Sequence, residues 1–79
     1  MKFEVYREGA TLLTAGTGDW RWRLRADNGE PIAHGGEGYR NKADCLRAIE
    51  LVMSASIATV VFDLTQGKPL SKTLLGGWG

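Results

Sequence analysis

Trp20-Arg21-Trp22-Arg23-Leu24-Arg25-Ala26-Asp27-Asn28-Gly29-Glu30 decides the fold of this chain. Apolar and basic residues alternate strictly from Trp20 to Ala26. A β-strand sends successive side chains to opposite faces, so Trp20, Trp22, Leu24 and Ala26 share one face and Arg21, Arg23 and Arg25 the other. Asp27-Asn28-Gly29 tolerates the positive φ of a tight hairpin. The stretch therefore predicts a twisted antiparallel sheet with one dry face and one arginine-lined face.

Working outward, Phe3 and Val5 alternate with Glu4 and Tyr6, which predicts a first strand over Lys2 to Arg7. A third strand follows Gly29. A three-residue loop, Asp27-Asn28-Gly29, pairs Ala26 with Glu30 and Leu24 with Ile32. A two-residue loop would turn Ile32 onto the arginine face, so the apolar match selects the longer one. Gly29 then takes the left-handed position of a type I turn with a G1 bulge. Pro31 cannot donate to a ladder, which makes this an edge strand at that point. Asn41 caps a helix, with Asp44 in its first turn. Cys45, Leu46, Ile49, Val52 and Met53 are spaced three and four apart, giving an apolar helix face that ends near Met53. Thr59 to Leu64 reads as a short extended segment.

The chain has 79 residues, which allows one domain. A core built by so short a chain is marginal without a disulfide, a metal or a second subunit. Cys45 is the only cysteine and His34 the only histidine, so neither an internal disulfide nor a closed zinc site is expected. Oligomerisation remains. The net charge of +1, from 10 basic and 9 acidic residues, gives no global drive toward nucleic acid or an anionic membrane. No apolar run approaches a membrane helix and the first residues do not form a signal peptide, so a cytoplasmic protein with no membrane association is expected.

Phe3-Glu4-Val5-Tyr6, the Trp20–Glu30 run, Ile32-Ala33, Glu37-Gly38-Tyr39, Lys42-Ala43, Ile49-Glu50-Leu51-Val52 and Val61-Phe62-Asp63-Leu64-Thr65 occur in an order that resembles the YegP-like family of small bacterial and archaeal proteins of unknown role. The resemblance covers about residues 1–65. It implies an α+β unit: a three-stranded antiparallel sheet followed by one α-helix, completed by a second copy in a homodimer. It carries no catalytic residues. Two parts depart from it. The connection from Glu8 to Gly18 is long, and its Leu12 and Leu13 are suited to touching a partner or the other subunit. Residues 66–79 have no counterpart and are expected to form a flexible tail, from which Leu74, Leu75 and Trp78 can latch onto a neighbour.

The arginine face offers a nucleic-acid reading. Arg21, Arg23 and Arg25 would meet phosphates, with Arg40 and Lys42 nearby and Tyr39 available for stacking. The competing reading is a solvated face on which Glu4, Tyr6 and Glu30 pair with the arginines across the strands. Trp20 and Trp22 read as core rather than pocket lining. His34 has no partner fixed by spacing and reads as a strand-end residue. Cys45 reads as a small buried hydrophobe. No enzyme activity and no cofactor are expected. The sequence points to a homodimeric binding or accessory module with a protein partner, and secondarily to a weak nucleic-acid binder.

Overall fold

A computed structural model describes residues 1–9 and 16–79; residues 10–15, with Leu12 and Leu13, lie outside the described residues. The chain runs β1 (Lys2–Arg7), β2 (Trp20–Arg25), β3 (Pro31–His34), α1 (Lys42–Met53), β4 (Val61–Asp63) and β5 (Lys68–Leu70). The first three strands form one antiparallel sheet in the order β1-β2-β3. The helix packs against β1 and β2. This is the expected α+β arrangement, a three-stranded antiparallel sheet followed by one helix, its sheet read from the alternating strands and its helix from the Asn41 cap and the spacing of Cys45, Leu46, Ile49, Val52 and Met53.

The register follows the pleat. Phe3 faces Leu24 and Val5 faces Trp22 on one side; Glu4 faces Arg23 and Tyr6 faces Arg21 on the other. The apolar set meets the helix. Trp22, Cys45 and Ile49 are the buried hydrophobic residues among those described, with Phe3, Val5, Trp20, Leu24, Ala33, Tyr39, Ala48 and Val52 packed around them. Phe3 meets the Trp22 ring edge-on, with centroids 5.8 Å apart, a geometry aromatic quadrupoles favour.

The turn after β2 forms as its residues require. Ala26 N donates to Glu30 O, Gly29 N donates to Ala26 O, and Gly29 sits at φ +86°. The next pairing differs from expectation. Leu24 faces Ala33, not Ile32, because the ladder shifts by one residue between Leu24 and Arg25. Ile32 is left 54% exposed. A proline cannot donate to the ladder, and a bulge is where a sheet accommodates one. Without the shift, His34 would stand opposite Trp22 and enter the core. With it, His34 pairs with Arg23 on the outer face and Gly35 lies across from Trp22, donating to its carbonyl at 3.1 Å. The register that keeps a polar imidazole in water wins over the one that buries Ile32.

The helix begins where its cap predicts: the Asn41 carboxamide oxygen accepts from Asp44 N at 2.8 Å. Its apolar face is narrower than the sequence pattern. Cys45 and Ile49 are buried, but Leu46 and Met53 are 40% and 62% exposed. A single helix on a three-stranded sheet covers only one stripe of itself.

Beyond Ser54 the chain leaves this unit. The sequence assigns no element to residues 66–79, yet β5 lies there and pairs antiparallel with β4. Among the described residues, the β4–β5 hairpin packs against neither the three-stranded sheet nor the helix. The radius of gyration is 16.2 Å, where a compact chain of this length has about 12 Å.

Candidate functional site

Three surfaces carry chemistry. The first is the outer sheet face. Strand alternation places Lys2, Glu4, Tyr6 and Glu8 beside Arg25, Arg23 and Arg21, with His34 across from Arg23. Glu4 is its hub. One carboxylate oxygen accepts from Nε of both Arg23 and Arg25 at 2.6 Å, and the Lys2 ammonium lies 3.7 Å from the other. The Arg23 and Arg25 guanidiniums hold the Glu4 carboxyl down at about 2. Glu8 pairs with Arg21 Nε. That hydrogen bond lowers the Glu8 pKa and raises that of Arg21. The Arg23 guanidinium also stacks on Tyr6, 4.7 Å from the ring centroid.

Four cations, Lys2, Arg21, Arg23 and Arg25, therefore face two carboxylates, Glu4 and Glu8. Each arginine spends its Nε on a carboxylate. Arg25 also donates from Nη1 to Gly29 O at 2.6 Å. Glu4 and Tyr6 stand where the solvated-face reading put them, but Glu30 is replaced by Glu8, because Glu30 lies beyond the end of β2. The period-two run Glu4, Tyr6, Glu8 was the signal that pointed to it.

The second surface lies on the opposite side, around Trp20. The Arg7 guanidinium and the Lys42 ammonium approach its ring, 5.4 Å and 5.7 Å from the centroid. Trp20 and Tyr39 exchange backbone hydrogen bonds of 2.6 Å and 2.8 Å. Burial, and then the neighbouring Glu37 carboxylate, push the Tyr39 phenol up. Arg7 is further fixed by donating to the carbonyls of Thr17 and Gly18 at 3.0 Å and 3.1 Å. The six residues expected to make a nucleic-acid surface are thus divided. Arg21, Arg23 and Arg25 share the outer face; Tyr39 and Lys42 attach to Trp20 on the helix side; Arg40 is exposed in the segment between them. Sequence spacing gave no sign of the Arg7–Trp20–Lys42 group, because its members come from three separate elements.

The third surface is apolar. The arm after the helix exposes Ile57, Val60, Val61, Phe62, Leu64, Leu74, Leu75 and Trp78, each by 45% or more. Val60, Val61, Pro69, Leu70 and Trp78 help line a cleft of about 580 Å³ within it. Cys45, by contrast, is fully buried, and burial pushes its thiol up, which makes it a packing residue. No three His, Cys, Asp or Glu side chains gather among the described residues.

Residues 16–63 match the family model described as a domain of unknown function, DUF1508. A UPF0339 protein of Neisseria meningitidis serogroup B is 43% identical over 61 residues, which are 77% of this chain and 95% of that protein. A UPF0339 protein of Agrobacterium fabrum is 38% identical over 64 residues, 81% of this chain and 90% of that protein. One from Treponema denticola is 45% identical over 51 residues, 65% and 74% of the two chains. β2 with its arginines, β3 and the capped helix lie within residues 16–63, and the chain belongs to the UPF0339 family, the YegP-like proteins.

Proposed function

We propose that this protein is a homodimeric binding module that acts through protein–protein contact rather than catalysis, in the cytoplasm. The observation that carries the reading is its surface. The chain exposes 6434 Å², where a compact monomer of 8.6 kDa exposes about 4,700 Å². Ile57, Val60, Val61, Phe62, Leu64, Leu74, Leu75 and Trp78, in the arm after the helix, are most of the large hydrophobic side chains exposed among the described residues. A standard interface buries about 800 Å² per partner, so the excess is large enough for one. Sedimentation equilibrium at micromolar concentration tests this: twice the chain mass is expected, and a stably folded monomer overturns the dimer.

A second reading, weak nucleic-acid binding, rests on the surplus of two positive charges across Lys2, Arg21, Arg23 and Arg25 against Glu4 and Glu8. Titrating labelled single- and double-stranded oligonucleotides against salt separates the two. Phosphate contacts give a steep loss of affinity with salt; a purely protein-binding module binds no oligonucleotide at any salt concentration.

A further inference from the structure

We infer that the turn around Leu74 and Leu75 is a peripheral membrane anchor: the two leucines enter the interface of an anionic phospholipid bilayer, and Lys72 and Trp78 stay level with its headgroups. The inference goes beyond the dimer reading and does not rest on it. The family match ends at residue 63, so this turn lies outside that match.

The turn is held by its backbone. Ser71 and Gly79 exchange hydrogen bonds, each 2.9 Å, and Lys72 faces Trp78 across the hairpin. Thr73 N donates to Gly77 O at 2.7 Å, and Gly76 N donates to Thr73 O at 3.1 Å. Gly76 takes φ +90°, the left-handed conformation that lets the chain return. Leu74 and Leu75 are thereby set side by side at the tip, both fully exposed. Two bare leucines on a convex tip gain most from a medium that closes around them. A fluid bilayer does so without a matching pocket.

The order of residues along the hairpin follows the layers of a bilayer interface. Lys72 and Trp78 form one row, and the leucines begin two residues beyond Lys72, about 7 Å at strand rise. Interfacial segments bury their apolar side to about 5–10 Å. Tryptophan is enriched at headgroup level, and Trp78 is 57% exposed in that row. Charge selects the lipid. Residues 64–79 contain Lys68 and Lys72 and no acidic residue, an excess that the whole-chain charge of +1 conceals. A lysine near an anionic surface strengthens binding about fivefold. No apolar run of spanning length is needed, because the contact is with one leaflet.

The test is sedimentation of the full chain with vesicles of phosphatidylcholine alone and of phosphatidylcholine mixed with phosphatidylglycerol. The chain should pellet with the mixed vesicles and stay in solution with the neutral ones. Lys68→Gln/Lys72→Gln should weaken binding by about 25-fold, fivefold for each lysine. Leu74→Ser/Leu75→Ser should weaken it by about tenfold or more. Circular dichroism checks that sheet and helix persist in both variants. A full chain that does not pellet with the mixed vesicles overturns the anchor. Binding that the leucine variant keeps unchanged also overturns it and assigns the lipid contact to the arginine face. A leucine variant that no longer dimerises in lipid-free buffer assigns the leucines to a protein contact, which overturns it too. A monomeric full chain that pellets with the mixed vesicles supports the anchor and overturns only the dimer.

Discussion

Gly35 lies across the sheet from Trp22 so closely that no side chain fits between them. A Cβ at Gly35 would fall 2.9 Å from the Trp22 Cδ1 and Cε2 atoms. The constraint is space, and the neighbour is the largest buried side chain in the core. Gly35→Ala is therefore expected to cost about 1–3 kcal/mol through forced repacking. Gly36→Ala meets no atom within 4 Å and should stay within about 0.5 kcal/mol. Urea unfolding of the two variants checks the contrast, and equal costs would remove the close approach as the reason.

Trp22 is 7% exposed and anchors the sheet to α1. Trp22→Ala should cost about 3–5 kcal/mol. Arg23→Ala, on the opposite face, should cost a small part of that, because its side chain is 36% exposed and pairs with Glu4 in water. The same unfolding assay ranks them; comparable losses would mean that the two faces are assigned backwards.

The acid limb of stability should depend on Glu4. Its folded pKa, about 2, lies below the ordinary carboxylate value because Arg23 and Arg25 bind the ionised form. A depressed carboxyl contributes stability that is fully present above the unfolded pKa and is lost as pH falls through the folded one. The contribution should thus hold above about pH 4.5 and disappear toward pH 2, with Glu8 and Asp63, also lowered, acting in the same direction. Thermal unfolding of Glu4→Gln across this range should show a shallower decline than the parent. An unchanged acid slope would remove Glu4 as its source.

Asn41 caps α1 through the Asp44 amide. Asn41→Ala is expected to cost about 1 kcal/mol, while Asn41→Ser keeps an acceptor and most of the stability. Denaturant midpoints measured at constant m-value decide this, and a neutral Asn41→Ala would show that the cap contributes nothing.

The β1–β2 hairpin closes below its connecting loop. Glu8 N donates to Asp19 O and Gly18 N to Glu8 O, while Arg7 grips Thr17 and Gly18. Replacing residues 10–15 with a short glycine-containing turn, and keeping Thr17, should leave the circular dichroism and unfolding midpoint of the sheet and helix close to the parent's. Unfolding on this replacement would place the loop in the core.

What the sequence determined by itself is local. Alternation at Trp20–Arg25 set β2 and both of its faces, because the pleat has period two. Asp27-Asn28-Gly29 set the turn, because a left-handed residue is needed there. Asn41 and the spacing of Cys45 and Ile49 set the helix and its buried stripe. The tertiary structure decided whatever depends on a choice between distant costs. The bulge at Ile32 trades a buried isoleucine for a solvated His34 and a glycine against Trp22, a balance struck across the sheet rather than within the strand. The division of the basic residues between the arginine ladder and the Trp20 group arises because Arg7, Trp20 and Lys42 meet only when β1, β2 and α1 are packed together. Residues 66–79 read in the sequence as a tail without an element, because Gly67, Pro69, Gly76 and Gly77 break every period. Yet β5 pairs with β4 there, a pairing across a turn that no local pattern announces, and among the described residues that hairpin packs on neither the three-stranded sheet nor the helix.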